Sequence, residues 1–168
     1  MTLSEILAGK TVARDEYKSK LSLPRRSKIL VAVHFSDTQI TQDILAGLEI
    51  LPANFIVFGK WLEKIESKNI SYNDSIENFD MQWIDAIICN CTDISLETAM
   101  KKWVVPIVNE NNYLGKILQE FHPWRAEGNA YLYEKDSQWS AYYALIRYLE
   151  NHKFPYDNRN LVKNVVWL

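Results

Sequence analysis

The sequence of 168 residues lacks three features that would each point to a class of function. No apolar run approaches the roughly 20 residues that a membrane helix needs. The net charge of −2 leaves no excess of basic residues for nucleic acid or an anionic membrane surface. The start, Met-Thr-Leu-Ser-Glu, has neither the basic nor the apolar segment of a signal peptide. We therefore expect a cytoplasmic protein that binds neither nucleic acid nor membranes.

Cysteine and histidine are scarce as well. The two cysteines, Cys89 and Cys91, alternate with Asn90 in a predicted strand and should point to opposite faces of the sheet, which argues against a disulfide between them. A zinc site needs more ligands than this pair supplies. The three histidines are far apart in the sequence. We predict no metal site and no cofactor.

The sequence does contain a regular alternation of strand and helix signals. Short apolar runs rich in β-branched residues are typical of strands buried on both faces of a parallel sheet. Strands are predicted over residues 28–33, 54–58, 69–72, 85–90, 104–108 and 130–133. Helices are predicted over residues 12–21, 37–51, 61–67, 75–83, 95–103, 114–121 and 137–151. This order predicts an α/β fold of the doubly wound, Rossmann-like type, a mainly parallel sheet of five or six strands with helices on both faces.

The predicted strands also define a core and a domain boundary. We expect these strand side chains to be buried: Val31, Val33, Ile56, Phe58, Ile87 and Ile107. The Leu-Pro-Arg-Arg-Ser segment at 23–27 is the best linker candidate. It divides a leading segment with its helix, 1–24, from a single Rossmann-like domain, 25–168.

Several patches of sequence are similar to one known family. Residues 9–24 resemble the segment that opens the C-terminal domain of bacterial glycogen synthases and plant starch synthases, where Gly-Lys precedes a basic helix and Gly-Leu-Pro. Ser22 replaces the second glycine of that pattern. Further patches that resemble family motifs follow in the same order, at residues 55–59, 72–74 with 83–85, 99–100, 105–108 and 128–134.

The resemblance implies the C-terminal half of a GT-B glycosyltransferase. Enzymes of this family transfer glucose from a nucleotide-sugar to the end of an α-glucan, with the active site between two domains. Their C-terminal domain binds the nucleotide and its pyrophosphate. By this resemblance the vestigial nucleotide-sugar cleft lies at eight positions: His34, Phe35, Ile40, Asp93, Glu97, Asn111, Asn112 and Tyr113.

The family's cationic motif is absent after the first strand. The family has Ser-Arg-Leu there and then Lys-Gly, whose two cations neutralise the leaving nucleotide diphosphate. Phe35 and Ile40 stand at the cationic positions, and neither side chain donates a hydrogen bond. No Lys or Arg occurs between Lys28 and Lys60, so a small shift of the alignment restores neither cation.

Two other family loops differ too. The acidic loop Glu-Pro-Cys-Gly-Leu is shortened, and we interpret Asp93 and Glu97 as acids that stabilise a helix start, with a displaced sugar-binding acid as the alternative. Residues 111–114, Asn-Asn-Tyr-Leu, replace Thr-Gly-Gly-Leu, so Tyr113 should fill the space that the glycines leave open. His34 ends the first strand, where such folds bind ligands, and we interpret it as a loop histidine.

These differences favour a domain that is not catalytic by itself and acts by binding, either to a second copy or to a partner glycosyltransferase chain. The alternative is a hexosyltransferase subunit that binds ADP-glucose or UDP-glucose and completes its active site with another polypeptide. A small-molecule sensor at the strand ends is a third class. Under the first hypothesis the former active-site face, with Phe35, Trp103 and Tyr113, is filled by its own side chains or covered by a partner. The chain should also stop where the family's final helix begins to cross back.

Overall fold

A computed structural model describes residues 2–25, 27, 29–90 and 94–166, without the side chains of residues 94 and 95. The strands of the sheet are β1 Leu30–His34, β2 Asn54–Phe58, β3 Ile70–Asn73, β4 Ala86–Cys89, β5 Val105–Asn109 and β6 Tyr131–Tyr133. They are ordered β3-β2-β1-β4-β5-β6, and each pairing is parallel. The predicted doubly wound α/β sheet is confirmed.

Helices flank this sheet. They are α1 Leu3–Lys20, α2 Thr38–Glu49, α3 Ile94–Lys101, α4 Gln138–His152 and α5 Pro155–Val165, with 3-10 turns at Met81–Trp83 and Pro123–Arg125. The chain moves from β1 towards one side of the sheet through α2, and from β4 towards the other side through α3. Because parallel crossovers are right-handed, α2 and α3 lie on opposite faces.

The core forms on the strands, as their composition predicts. All six side chains expected to be buried are buried. Strands β1, β2, β4 and β5 are almost entirely apolar because helices cover them on both faces. Cys89 is buried in β4, whereas Cys91 lies outside the described residues.

Helix α1 is longer than predicted and is bound to the sheet by charged side chains. It begins at a capping box in which Thr2 Oγ1 accepts from Glu5 N and Glu5 Oε2 accepts from Thr2 N. One face carries Lys10, Arg14 and Lys18, whose spacing of four residues places them in a row. These cations bind groups at the ends of the strands, and the domain boundary near residue 25 stays a prediction.

Three of the predicted helices are wrong. Residues 61–67 form no helix because side chains bind their backbone: Gln42 accepts from Glu63 N and donates to Glu63 O, and Tyr72 Oη accepts from Ile65 N. Residues 75–83 form only the short turn at their end. Residues 114–121 form turns that lead into a parallel bridge between Glu120 and Ala130.

Helix α5 was not predicted. Pro155 stands at its first turn, where the missing N–H of proline costs no hydrogen bond. Its buried face is formed by Leu161, Val162 and Val165, which have helical spacing. Both signals are present in the sequence, but the polar residues between them lower the apparent periodicity.

Candidate functional site

The candidate site lies where the parallel strands end, at what we call the carboxyl edge. His34, Cys89 and Asn109 are the last residues of β1, β4 and β5, and their strands are neighbours in the sheet. The strand order reverses between β1 and β4, which is where doubly wound folds bind ligands.

The loops after β1 and β4 are joined across the reversal point. Asn90 Oδ1 accepts two hydrogen bonds from Ser36, one from the backbone N at 2.8 Å and one from Oγ at 3.2 Å. Asp37 then caps α2 by accepting from Gln39 N. The Asn90 amide oxygen is therefore occupied by the opposite loop.

The backbone carbonyls at the end of β4 are occupied as well. Asn112 Nδ2 donates to the Asn90 carbonyl oxygen at 2.7 Å, and Tyr133 Oη donates to the Cys89 carbonyl oxygen at 2.8 Å. These donors come from the loop after β5 and from the end of β6. The end of β4 is therefore bound both to the loop after β5 and to the end of β6.

Asn109 connects the remaining loops. Its side chain is only 4% exposed, its Nδ2 donates to Asp136 Oδ1 at 2.8 Å, and its Oδ1 accepts from Asn111 N at 2.8 Å. Asn111 Nδ2 in turn donates to the Glu134 carbonyl oxygen at 3.1 Å. We call Asn90, Asn109, Asn111 and Asn112 the asparagine network.

The loop after β5 is packed closely, backbone against backbone. A Cβ atom on Gly115 would lie 2.0 Å from the carbonyl oxygen of Asn109, so this position accepts only glycine. Amide groups neither exchange protons near neutral pH nor act as nucleophiles. The asparagine network can therefore hold loops or bind a polar ligand, but it supplies no acid, base or nucleophile.

The charge at the carboxyl edge is mostly negative. The loops after β1, β4 and β5 contain no Lys or Arg over residues 35–37, 90–93 and 110–113. Lys60 and Lys135 are exposed after the flanking strands β2 and β6. The exposed carboxylates at this edge are Asp37, Glu110, Glu134 and Asp136. An anionic ligand would meet repulsion from these groups.

The predicted cleft residues after β1 belong largely to the core. Phe35 is buried, and Ile40 is partly buried against the hydrophobic core. His34 is half-buried, with its ring edge-on to Phe58 at a centroid distance of 6.4 Å. Asp93 lies outside the described residues, and Glu97 is exposed in the first turn of α3.

Two expectations about the filled cleft are wrong. Tyr113 is 67% exposed, so it does not fill the space of the family's glycines. Trp103 lies before β5, at the amino ends of the strands, where its carbonyl oxygen accepts from Lys10 Nζ at 3.0 Å. Its φ of 58° is left-handed and closes α3, a conformation in which glycine is the usual residue.

Sequence reasoning missed Ser36, Asn90, Asn109, Tyr133 and Asp136. A usable signal was present, because a polar residue that directly ends or follows a buried parallel strand lies at the carboxyl edge. What the sequence could not reveal is the pairing, since Ser36 and Asn90 are 54 residues apart.

Neither a cluster of metal ligands nor a membrane-spanning helix occurs in the described part of the chain. Across residues 2–25, 29–90 and 94–166, no three His, Cys, Asp or Glu side chains are grouped as metal ligands. No helix in the described part of the chain combines the length and apolar character that membrane crossing requires.

Comparison with solved structures identifies the class of fold. The catalytic domain of starch synthase IV from Arabidopsis thaliana, bound to ADP and acarbose, is similar with a TM-score of 0.72 at 13% identity. That match covers 95% of this chain and 39% of the starch synthase chain, so this chain spans about two fifths of its length.

A second similar structure is a single domain. It is the C-terminal domain of a glycosyl transferase group 1 family protein, LpcC, from Francisella tularensis, with a TM-score of 0.61 at 13% identity over 91% of this chain and 89% of that one. No family model and no curated protein sequence matches the chain. The chain therefore has the fold of the C-terminal domains of GT-B glycosyltransferases.

Proposed function

We propose that the chain is a cytoplasmic, glycogen- or starch-synthase-like C-terminal domain that transfers no sugar by itself. It acts by binding a protein chain, either a second copy or a separate partner. The asparagine network carries this proposal. A nucleotide at the carboxyl edge would have to break hydrogen bonds that now join the loops after β1, β4, β5 and β6.

The charge distribution supports the same proposal. A leaving nucleotide diphosphate needs cationic donors placed where charge develops, each worth about 3 kcal/mol of transition-state stabilisation. Phe35 and Ile40, which align with the family's two cations, pack in the core instead. The exposed carboxylates of the carboxyl edge would oppose the diphosphate.

Exposed aromatic side chains support a protein partner. Trp61 follows β2, Tyr113 follows β5, and Trp139 lies in the first turn of α4 after β6, and each is exposed. All three therefore lie at the carboxyl edge. Aromatic residues are enriched in protein interfaces, where their apolar rings lose contact with water.

Calorimetric titration of the chain with ADP, UDP and their glucose conjugates tests the proposal, together with transfer of labelled glucose to glycogen. We expect no binding heat and no incorporation above a heat-killed control. Saturable binding of a nucleotide-sugar would instead support the alternative, a nucleotide-sugar-binding subunit that completes its active site with another chain.

A further inference from the structure

A groove runs along the open edge of the sheet at β6. It has a volume of about 640 Å³, which is within the range of ligand sites. Its lining comes from α4 and the start of α5 on one side, and from residues 120–123 with Tyr131 of β6 on the other. We call it the β6 groove. The loops of the carboxyl edge contribute nothing to this lining, so the groove is a separate surface.

Two aromatic side chains of the β6 groove are exposed to water. Tyr143 on α4 is 63% exposed, and Phe154, which directly follows the C-cap of α4, is 59% exposed. A helix rises 1.5 Å per residue, so about 16 Å of helix separates these two positions. Exposed apolar groups that lie together on a polar surface mark interaction sites. The separation of the rings requires an elongated occupant, because a small molecule would contact only one of them.

The Phe154 end of the β6 groove carries carboxylates that have little or no compensation. Asp157 is partly exposed in the first turn of α5 and forms no ion pair within the described residues. Glu150 pairs with Lys153, but both side chains are more than half exposed, and such pairs contribute little energy. A cation that arrives from solvent can therefore bind next to the Phe154 ring.

The charge of the whole lining is negative as well. Its charged residues are the three carboxylates Glu120, Glu150 and Asp157 and the cation Arg147, which is already paired with Glu120. Tyr131 lies between these groups. Burial raises the pKa of its hydroxyl, and the carboxylates of Glu120 and Asp157 raise it further, against the effect of Arg147. The β6 groove thus favours a positively charged occupant.

We propose that the β6 groove binds an extended segment of a partner protein that carries an arginine. The guanidinium group would lie on the Phe154 ring and bind Asp157, because aromatic faces attract this cation and carboxylates match its paired donors. An apolar side chain of the segment would cover Tyr143. At about 3.3 Å per residue, about five extended residues span the distance between the two rings. This inference goes beyond the proposed function and does not depend on the carboxyl edge.

Fluorescence anisotropy of a labelled peptide titrated with the full chain tests the proposal. The peptide Leu-Ser-Ala-Ser-Arg-Ser-Ala-Ser-Leu carries a leucine four residues from the arginine on either side, so it fits in either chain direction. We expect saturable binding, and at least about tenfold weaker binding when glutamine replaces the arginine, since a charged contact is worth about that factor. No saturable binding, or equal affinity for the glutamine peptide, would overturn the proposal.

The double variant F154S/D157N should weaken binding of the arginine peptide at least about tenfold. Phe154 is the N-cap of α5 and makes no side-chain hydrogen bond there, and serine is a preferred N-cap, so the variant should fold. The matched control is W124S/E127Q, which removes an exposed ring and a carboxylate at the same spacing outside the lining. It should keep wild-type affinity, and an equal loss in this control would contradict the site.

Replacing both leucines of the peptide by serine tests the Tyr143 end of the groove. This change should weaken binding to the wild type but not to Y143S, because the two substitutions remove the same contact. An equal loss with both proteins would show that the segment does not reach Tyr143. Sedimentation distinguishes the other occupant, a second copy of the chain. If F154S/D157N converts a wild-type dimer into a monomer, the groove holds that copy and the proposal is wrong.

Discussion

Asn109 donates a hydrogen bond from Nδ2 to Asp136 Oδ1 at 2.8 Å and so joins the end of β5 to the loop after β6. Its Oδ1 also accepts a hydrogen bond from Asn111 N, and Asn109 is buried. N109L should therefore lower the free energy of unfolding by about 1–3 kcal/mol, since it leaves buried polar groups without partners. Urea denaturation measures the change.

The matched control is N111L. Asn111 is exposed, and its side chain makes a single hydrogen bond of 3.1 Å to the Glu134 carbonyl oxygen. Water can replace that bond, so we expect a loss below about 0.5 kcal/mol. Equal losses in both variants would show that the asparagine network is not held by Asn109.

The sequence was sufficient for the sheet but not for all of the helices. The run over residues 55–58 of β2 is apolar throughout because it is buried on both faces, so such a run identifies a strand without knowledge of its neighbours. The helix predicted over residues 61–67 failed because Gln42, about twenty residues earlier, binds the backbone at Glu63. Local periodicity contains no information about such distant partners.

The same limit applies to the candidate site. The absence of Lys and Arg between Lys28 and Lys60 is visible in the sequence, and it gave the prediction that cationic donors are missing. That Asn90 and Ser36 bind each other depends on the pairing of β1 with β4. The misplacement of Trp103 was avoidable from the sequence, because a residue that precedes a parallel strand lies at its amino end, opposite the carboxyl edge.

Substitutions of Trp103 separate the effect of its backbone conformation on stability from the effect of its side chain. Its left-handed φ of 58° disfavours every residue with a Cβ, whereas its ring packs partly against the core. Both W103G and W103A remove the ring, so they differ only in backbone freedom. W103G should be the more stable of the two by about 1 kcal/mol, measured by urea denaturation. If W103A is as stable as W103G, the residue leaves the left-handed region in solution.

Glu120 and Arg147 protect the open edge of the sheet at β6. Glu120 Oε2 accepts from Leu132 N at 2.7 Å, Arg147 Nη2 donates to Leu132 O at 2.6 Å, and the two side chains form an ion pair. Unpaired groups on an edge strand invite pairing with another chain. E120A/R147A should therefore aggregate faster on heating, as measured by light scattering. The exposed pair variant E150A/K153A is the control and should behave as the wild type.

Lys10 should make stability depend on pH in the alkaline range. Burial, with a smaller contribution from Arg14, lowers the pKa of Lys10 to about 8 against the raising effect of Asp85. Because the folded pKa lies below the ordinary value of 10.5, the unfolded chain binds more protons between these values. The Lys10 contribution to stability should thus rise from pH 8 to pH 10.

K10M removes this titration and should lack that rise. Other groups titrate in the same range, so the quantity to compare is the difference in unfolding free energy between wild type and K10M at each pH. The wild type should gain unfolding free energy relative to K10M as pH increases. A constant difference would show that the ammonium group of Lys10 is not desolvated in the folded chain.

Trp61 and Trp139 test whether the carboxyl edge is an interface between two copies of the chain. Both rings are exposed, at 94% and 73%, so replacing them by serine should leave the unfolding midpoint nearly unchanged. We expect the wild type to sediment as a dimer at micromolar concentration and W61S/W139S to sediment as a monomer, because central aromatic residues dominate interface energies. Trp124 is equally exposed but lies in the turn Pro123–Arg125 before β6, at the other end of the strands, so W124S is the control and should remain dimeric. A wild-type monomer, or a W61S/W139S dimer, would rule out this interface.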